Sequence, residues 1–269
     1  MHYSEFVDVY EKLNKTPSRL GKTTIIAEFL KKLRKERKSE WIYLLRGRVF
    51  PDYDPREFGI SRQLSIKALS VAFGIKSEEI VKKFNKIGDL GEIAQELRKK
   101  KRQTALFFKR LDVGHVFDSL KKLVTIEGKG TIEKKLQIIS ELLSSASDGE
   151  AKYVMRTLVN DLRVGVAEST IVDAITEAFF PDKKSEMADK IEAAYDLCND
   201  FAIVFDKAMK GEKALEDVVI SPEKPMNVML AVKVENIEEG FEVCGKPVAL
   251  EYKYDGFRML VNKKGKEIF

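Results

Sequence analysis

An internal repeat is the feature that most constrains the fold of this chain. Gly59-Ile60-Ser61 precedes a run of residues at helical spacing, and Gly165-Val166-Ala167 precedes a second run that matches it without a gap. The matched positions are Leu64, Ile66, Ala68, Leu69, Ala72 and Phe73 in the first copy, and Thr170, Val172, Ala174, Ile175, Ala178 and Phe179 in the second. One offset, 165 − 59 = 106 residues, aligns both sets. The repeat predicts two related helical units.

A second match lies upstream of each glycine. Tyr43-Leu44-Leu45-Arg46 corresponds to Tyr153-Val154-Met155-Arg156, with a few extra residues in the first copy. We therefore expect each unit to contain a helix, a glycine turn and a second helix, with the two turns structurally equivalent. Apolar periodicity alone also produces similarity between unrelated amphipathic helices, so this expectation requires a structural test.

The pattern of apolar residues changes near the end of the chain. Up to about Leu215 the apolar spacing is helical; near the N-terminus, for example, Phe6, Val9, Tyr10 and Leu13 have the spacing of one helix face. Residues 221–225 contain two prolines, which predict a linker. Residues 248–252 and 258–262 have strand-like composition, and residues 263–266 are predicted to form the turn of a hairpin. The prediction is a mainly α fold in which a two-unit pseudo-repeat helical domain is followed by a truncated α+β segment with a β-hairpin.

Positive charge is concentrated in one stretch. The 269-residue chain has a formal net charge of +5, whereas residues 98–135 hold twelve Lys or Arg against four Asp or Glu, a net charge of +8. This distribution favours a polyanionic partner, although a solvated helix face produces a similar composition. Within the stretch, a run of five basic residues is predicted at a helix end: Arg98-Lys99-Lys100-Lys101-Arg102. Positive charge at that end interacts favourably with the helix dipole, and such a run also binds acidic partners of any kind.

The sequence gives no sign of a membrane or secreted protein. No apolar run approaches about eighteen residues, and the N-terminus lacks a cationic start followed by an apolar stretch. Cys198 and Cys244 are the only cysteines and form no zinc-binding spacing with the two histidines. We expect a protein of the reducing cytoplasm.

Three glycine-containing motifs are candidates for turns that meet a ligand. Gly21-Lys22-Thr23 has Thr16 where a phosphate loop needs its first glycine, so we predict a turn before a helix. Gly88-Asp89 is predicted to cap the next helix, a structural role. In Gly128-Lys129-Gly130-Thr131 the last residue is a candidate N-cap, and free amides there favour a phosphate. An ordinary turn fits the same residues, but the surrounding charge favours a DNA phosphate clamp.

The stretch from Glu251 to Arg258 carries the most specific chemistry. In an extended chain Glu251, Lys253 and Asp255 lie on one face. A lysine between two carboxylates is a candidate nucleophile toward phosphorus, and attack requires its neutral amine, which burial or a neighbouring cation such as Arg258 favours. Taken alone, a Lys-x-Asp-Gly pattern more often belongs to a surface strand with a row of charged side chains than to a nucleophilic lysine.

This stretch resembles motif I of the covalent nucleotidyltransferases, which include DNA ligases and mRNA capping enzymes. Four further stretches are similar to archaeal ATP-dependent DNA ligases and occur in that family's order: Gly47-Arg48-Val49-Phe50-Pro51-Asp52-Tyr53-Asp54, Gly88-Asp89-Leu90-Gly91, Asp161-Leu162-Arg163-Val164-Gly165-Val166 and Met229-Leu230-Ala231. Capping enzymes lack such a helical N-terminal domain. The chain thus resembles the N-terminal DNA-binding domain of a ligase, predicted at residues 1–220, plus the start of the adenylation (nucleotidyltransferase) domain at 221–269.

The resemblance implies a role for each residue of motif I. Lys253 would attack the α-phosphate of ATP, forming lysyl-AMP and releasing pyrophosphate. Glu251 would hydrogen-bond the adenine amino group and Arg258 would contact the nucleotide, while Asp255 and Gly256 would shape the turn beside the lysine. AMP would pass to the 5′-phosphate of a nick and be displaced by the 3′-hydroxyl, with Mg²⁺ offsetting phosphate charge. No metal ligand is assigned within this chain.

The resemblance also implies that the helical domain holds nicked double-stranded DNA through minor-groove and phosphate contacts, without reading sequence. The candidate DNA-binding residues are Arg48, Gly59, Lys129, Gly130, Thr131, Arg163 and Gly165. The implied protein is a monomer without membrane association, and a sliding clamp is a candidate partner.

The family's adenylation domain continues for many more residues and joins an oligonucleotide-binding-fold domain. We therefore expect this chain to bind DNA but not to complete nick sealing, which the whole ligase performs in replication and repair. Two alternatives stay open: a non-catalytic module that binds nicked DNA, and an RNA-directed nucleotidyltransferase of the capping or RNA-ligating type.

Overall fold

The computed structural model describes residues 1–101, 111–222, 224–225, 233–252, 254–256, 259 and 261–268. Over these residues the chain is mainly helical, as predicted, and no described helix is long and apolar enough to cross a bilayer. The α-helices are α1 (Tyr3–Lys15), α2 (Arg19–Leu33), α3 (Arg62–Phe73), α4 (Ser77–Ile87), α5 (Leu90–Lys100), α6 (Val113–Thr125), α7 (Thr131–Ser145), α8 (Asp148–Leu158), α9 (Glu168–Phe179), α10 (Lys184–Cys198), α11 (Phe201–Lys210), α12 (Glu212–Glu216) and α13 (Ile237–Cys244). Short 3₁₀ helices span Arg34–Glu36, Ser39–Arg46 and Pro181–Lys183, and the two strands are β1 (Lys263–Lys264) and β2 (Glu267–Ile268).

The core is built from the helix faces that the apolar spacing predicts. In α1 the predicted face of Phe6, Val9, Tyr10 and Leu13 is buried. Phe6 packs edge-to-face on Phe29 of α2, with ring centroids 4.7 Å apart. Burial of each large apolar side chain stabilises the fold by about 1.5–3 kcal/mol, so the amphipathic pattern, rather than helix propensity, determines where these helices pack.

The structure confirms the repeat at the level of backbone and burial. α3 and α9 begin and end 106 residues apart, at Arg62 and Phe73 and at Glu168 and Phe179. Gly59 and Gly165 have φ angles of +62° and +61°. The residues beside each glycine also have matching burial: buried before it, exposed at it and half-buried after it.

The predicted helix upstream of each glycine turn is confirmed for the second unit only. α8 is an α-helix, whereas Ser39–Arg46 in the first unit is a 3₁₀ helix. Gly47 ends it with φ +70°, and its N–H bonds to the Leu44 carbonyl three residues back. A 3₁₀ helix of eight residues is longer than most, and its occurrence here shows that apolar spacing does not separate 3₁₀ helices from α-helices.

The two units interlock instead of forming separate bundles. α2 precedes the first unit in the chain but packs on α9 of the second, where Arg19 pairs with Asp173 at 2.6 Å. α7 lies between the units in sequence and packs on α3 of the first. Each helix that follows a glycine turn is therefore supported by a helix from outside its own repeat.

The last 49 residues differ from the sequence prediction in several places. Residues 248–252 form no strand, and the described residues offer them no pairing neighbour, which an extended segment needs for stability. The hairpin is confirmed, and its strands are β1 and β2. Lys263 and Lys264, which were predicted in the turn, form β1, so the turn consists of Gly265 and Lys266 only. α13 was not predicted, although its N-cap Asn236 accepts from Glu239 N at 2.8 Å. The boundary near residue 220 stays a prediction.

Candidate nucleic-acid interface

The turn at Gly59 joins the loop of residues 47–58 to the start of α3. Its carbonyl at Phe58 accepts a hydrogen bond from Lys135 Nζ at 2.7 Å. Ser61 is the N-cap of α3, and its Oγ accepts from Leu64 N at 3.2 Å. Gly59 itself is exposed, and the hydrogen bond from Lys135 holds the turn in place.

The turn at Gly165 has the same arrangement with a different lysine. Lys22 Nζ donates to the carbonyl oxygens of Val164 at 2.7 Å and Gly165 at 3.1 Å. A Cβ atom added to Gly165 would lie 2.7 Å from this ammonium, and one added to Gly59 would lie 3.2 Å from Lys135 Nζ. Both positions therefore disfavour a side chain, because φ is positive and because an added Cβ would require the lysine ammonium to shift.

Neither lysine was among the predicted site residues. Gly21-Lys22-Thr23 was predicted as a turn before a helix, but α2 already begins at Arg19, because Ser18 caps it by accepting from Gly21 N at 3.1 Å. One sequence signal was present: a lysine stands near the start of both α2 and α7, after a glycine. No local pattern tells which turn that lysine will meet.

Thr131 does not cap α7 as predicted. Gly130, with φ +77°, occupies the N-cap position, and Thr131 is the first helical residue. The threonine hydroxyl donates to the Gly128 carbonyl at 2.6 Å, so it closes the turn and leaves the helix amides open. Lys129 is exposed and has no partner within the described part of the chain.

Arg163 lies beside the Gly165 turn in a left-handed conformation, with φ +59°. Its Nε donates to Asp161 Oδ2 at 2.7 Å and its Nη1 to Asp89 Oδ2 at 3.2 Å. The hydrogen bond to Asp161 raises the pKa of the guanidinium, which stays charged. These bonds fix the orientation of the side chain, and a phosphate contact by Arg163 stays a prediction.

Arg48 holds its own loop together. Its Nη2 donates to the Asp54 carbonyl at 2.9 Å, and its Nε lies 3.6 Å from Asp52 Oδ1. The side chain is 38% exposed, so it has a free edge, but its main observed contacts are structural. DNA contact by Arg48 stays a prediction.

A cavity of about 330 Å³ lies between the 47–58 loop and the turn that follows α8. The two loops meet where a Cβ on Gly47 would be 3.4 Å from Leu162. Four arginines line it, yet each is paired with an acidic side chain or a carbonyl: Arg46, Arg48, Arg56 and Arg156. These pairs connect the residues around the cavity, although Arg48 Nε and Arg156 Nη1 have no hydrogen-bond partner among the described residues.

Asp89 is the anchor on the other side of the second turn. It caps α5, as predicted, and accepts from the buried Arg156 at 2.7 Å. Burial opposes ionisation of Asp89, but the hydrogen bonds from Arg156 and the α5 amides outweigh it and lower its pKa. The predicted structural role of Gly88-Asp89 is confirmed.

The basic run at the end of α5 is mostly used inside the fold. Arg98 Nε donates to the Ala146 carbonyl at 2.6 Å, and Lys101 Nζ donates to the Ala72 carbonyl at 2.7 Å. Two further lysines form ion pairs: Lys99 with Asp148 and Lys100 with Glu96. Arg102 lies outside the described residues. The net charge of the stretch thus overstates the charge that this run offers to a partner.

The predicted nucleotide-binding residues are only partly described. Lys253 and Arg258 lie outside the described residues, while Glu251, Asp255 and Gly256 are exposed, the glycine with φ +138°. Tyr252 and Tyr254 are 87% and 85% exposed. The described part of motif I does not enclose a nucleotide, and the described residues contain no group of three or more acidic, histidine or cysteine side chains placed to hold a metal ion. The residues present do not by themselves fit a nucleotide or metal pocket.

Comparison with known proteins gives a consistent result over the whole chain. Residues 2–176 match the family model described as "DNA ligase N terminus". The chain is 36% identical to the DNA ligase of Nanoarchaeum equitans and 37% identical to that of Thermococcus fumicolans, in both cases over 100% of this chain and 47% of the relative. It is 40% identical to the DNA ligase of Methanosphaera stadtmanae, over 97% of this chain and 46% of that protein.

The chain therefore spans about half the length of the curated relatives that it matches. The regions matched by the relatives and by the family model both include the two glycine turns. The family model begins just before α1 and ends within α9. By its sequence match and its mainly helical fold, the chain belongs to the DNA ligase N-terminus family.

Proposed function

We propose that the whole protein is an ATP-dependent DNA ligase that seals nicks in duplex DNA during replication and repair, and that this chain supplies its grip on DNA. The observation that carries the proposal is the match to archaeal DNA ligases along the whole chain, with the two glycine turns inside it. The helical part, proposed as residues 1–220, is the DNA-binding domain.

Two equivalent turns suit a nicked duplex because its backbone has near two-fold symmetry. Gly59 and Gly165 present exposed backbone without a side chain, so a phosphate can approach closely. α3 and α9 start directly after these turns, and the first amides of a helix favour an anion. Such contacts hold the duplex without reading its sequence.

Lys129, Gly130 and Thr131 add a third contact to this proposed surface. Lys129 supplies an exposed charge, and the left-handed Gly130 places the α7 start beside it. Arg163 is proposed as a phosphate contact next to Gly165, and Arg48 as a weaker one because its loop carbonyls already bind it.

The proposed catalytic residue of the whole protein is Lys253, with ATP and Mg²⁺ as cofactors. Glu251 and Arg258, with Asp255 and Gly256, are proposed nucleotide contacts. The support is the resemblance of this stretch to motif I. Because the described residues do not form a nucleotide pocket, we derive no catalytic step from their geometry. A monomeric state, a cytoplasmic location and a sliding-clamp partner also stay proposals.

Binding of a fluorescein-labelled nicked duplex, followed by anisotropy as salt is raised, tests the DNA-binding proposal. We expect tight binding at low salt that weakens steeply as phosphate contacts are screened. Absence of binding at low salt contradicts the proposal, and binding restricted to RNA duplexes favours the RNA-directed alternative.

Adenylation is tested in the longer protein that contains this chain. Incubation with α-labelled ATP and Mg²⁺ should label the protein covalently, and Lys253→Ala should abolish the label while leaving nicked-DNA binding intact. Equal labelling of Lys253→Ala contradicts the assignment. Binding without any labelling favours a non-catalytic DNA-binding module.

A further inference from the structure

A lysine from outside each repeat unit holds that unit's glycine turn. Lys22, near the start of α2, bonds the carbonyls of Val164 and Gly165 in the second unit. Lys135, near the start of α7, bonds the Phe58 carbonyl in the first. Phe58 and Val164 are separated by the same 106 residues as the two glycines, so the contacts are equivalent although the lysines are not repeat partners in sequence.

We infer that Lys22 and Lys135 are positioning residues for DNA binding, each fixing the outward-facing conformation of one glycine turn. The inference rests on the proposed function, in which the two turns meet the duplex. It adds two residues that were not among the predicted DNA-binding residues, and it gives α2 and α7 a role in binding.

The geometry of the peptide unit connects each lysine to the surface. In a trans peptide the C=O and N–H groups point in opposite directions. An ammonium that draws the Val164 carbonyl inward therefore turns the Gly165 N–H outward, and Lys135 does the same for the Gly59 N–H through Phe58. The exposed face of each turn then offers donors to phosphate, while its carbonyl oxygens, which would repel phosphate, face a cation.

The burial of the two lysines agrees with this role. Both side chains are half-buried, whereas Lys129 is exposed. Desolvation lowers the pKa of Lys135, as expected for an ammonium whose main partner is a protein carbonyl. The absence of a side chain at each glycine lets the ammonium come close, since an added Cβ would lie 2.7 Å from Lys22 Nζ and 3.2 Å from Lys135 Nζ.

A competing explanation is that these lysines contact DNA phosphates directly. The salt dependence of binding separates the two roles. Removing a direct phosphate contact lowers the slope of log K against log salt by about 0.9, because one fewer counterion is released. Removing a positioning residue weakens binding with a slope close to that of the unmodified chain.

The experiment compares four variants of this chain by anisotropy with a labelled nicked duplex over a range of salt concentrations. Lys22→Met and Lys135→Met each remove one turn-holding ammonium and keep the apolar stem. Lys129→Met removes an exposed charge at the proposed interface. Lys31→Met removes an exposed charge at the far end of α2 and serves as the matched control.

We expect Lys22→Met and Lys135→Met each to weaken binding about tenfold with an unchanged salt slope, the size expected for one hydrogen bond from a charged donor. Lys129→Met should lower the slope by about 0.9, and Lys31→Met should bind as the unmodified chain does. Circular dichroism confirms that each variant is folded at the assay temperature. If one variant fails to fold, the other tests the inference at its own turn.

A double-mutant cycle adds a readout that a purely structural role would not move. Lys22→Met combined with Gly165→Ala should weaken DNA binding less than additively, because both changes disturb one turn, whereas Lys22→Met with Gly59→Ala should be additive. Unchanged affinity of Lys22→Met and Lys135→Met, or a slope lowered by about 0.9 in each, overturns the inference while leaving the proposed function intact. Failure of the unmodified chain to bind the duplex removes both.

Discussion

The two glycine turns share a backbone conformation but not the contacts that maintain it. The glycines differ by one degree in φ, and the helices after them have the same length. Lys22 bonds two carbonyls at the second turn, while Lys135 bonds one at the first. α3 has a side-chain cap from Ser61, whereas Ala167 offers none to α9. The same geometry is thus reached with different side chains, so the geometry is the common element of the two units.

The arginines behind the turns differ more strongly. Arg156 and Arg46 occupy matching places in the repeat, each before a glycine turn. The Arg156 side chain is 5% exposed and pairs with an Asp89 that is 6% exposed, while Arg46 is 23% exposed and pairs with Asp52 at 19%. The second turn is therefore supported by a buried ion pair and the first by a partly solvated one, and the second should be the more sensitive to mutation.

Removing the charge of Asp89 should give the largest effect. Asp89→Asn keeps the N-cap acceptor of α5 but leaves Arg156 short of its buried partner, and should lower the free energy of unfolding by about 3 kcal/mol. The matched change Asp52→Asn should cost less, on the order of 2 kcal/mol, because that pair is partly solvated. Urea denaturation measures both. Equal losses would show that the two arginines are equivalent after all.

Adding a methyl group to each glycine tests the turns directly. Gly165→Ala should lower the free energy of unfolding by about 2 kcal/mol, from the positive φ and the crowding of Lys22. Gly59→Ala should cost about 1 kcal/mol, since its contact with Lys135 is looser. Thermal unfolding compares the two variants. A larger loss at Gly59 would contradict the ranking.

Exchanging the caps should give a smaller effect of opposite sign at the two turns. Ser61→Ala removes the hydrogen bond to Leu64 N and should destabilise the chain by about 1 kcal/mol. Ala167→Ser supplies the missing cap to α9 and should stabilise it by up to about the same amount. A destabilised Ala167→Ser variant would show that its position cannot adopt the capping geometry.

Mild acid should produce the smallest effect, and Asp89 should account for part of it. Its folded-state pKa is lowered, so its contribution to stability is complete above the unfolded pKa of about 4 and disappears as pH falls through the folded value. Stability measured by urea denaturation should therefore fall between about pH 5 and the folded pKa, and the fall should be shallower in Asp89→Asn. An identical pH profile in the variant would remove Asp89 from this role.

Much of the helical domain could be predicted from the sequence because the signals are local. Apolar spacing indicated the buried face of α1, and the 106-residue offset indicated that α3 and α9 are counterparts. Either Asp89 or the glycine turn beside it was predicted to cap the next helix, and Asp89 is the cap. These predictions depend on neighbours within a few residues, where side-chain chemistry restricts the backbone directly.

The errors arose where neighbours distant in sequence decide the outcome. Residues 248–252 have strand composition, but a strand exists only with a pairing partner, which the described chain does not give them. Thr131 is a local exception: it suits an N-cap, but its hydroxyl donates to the Gly128 carbonyl three residues back, and Gly130 takes the N-cap position. The run from Arg98 to Lys101 was counted as surface charge, yet two of its members bind carbonyls of α3 and of the residue after α7.

The amino-acid sequence by itself determined that this chain has two related helical units, each with a glycine turn, and that it carries a motif I stretch. These properties are fixed by residue type and short spacing. Only the tertiary structure decided that α2 supports α9 and α7 supports α3, so that Lys22 and Lys135 reach turns 142 and 77 residues away in the chain. The physical reason is that a charged side chain acts through whichever groups the packed helices bring beside it, and many different packings are compatible with the same local pattern.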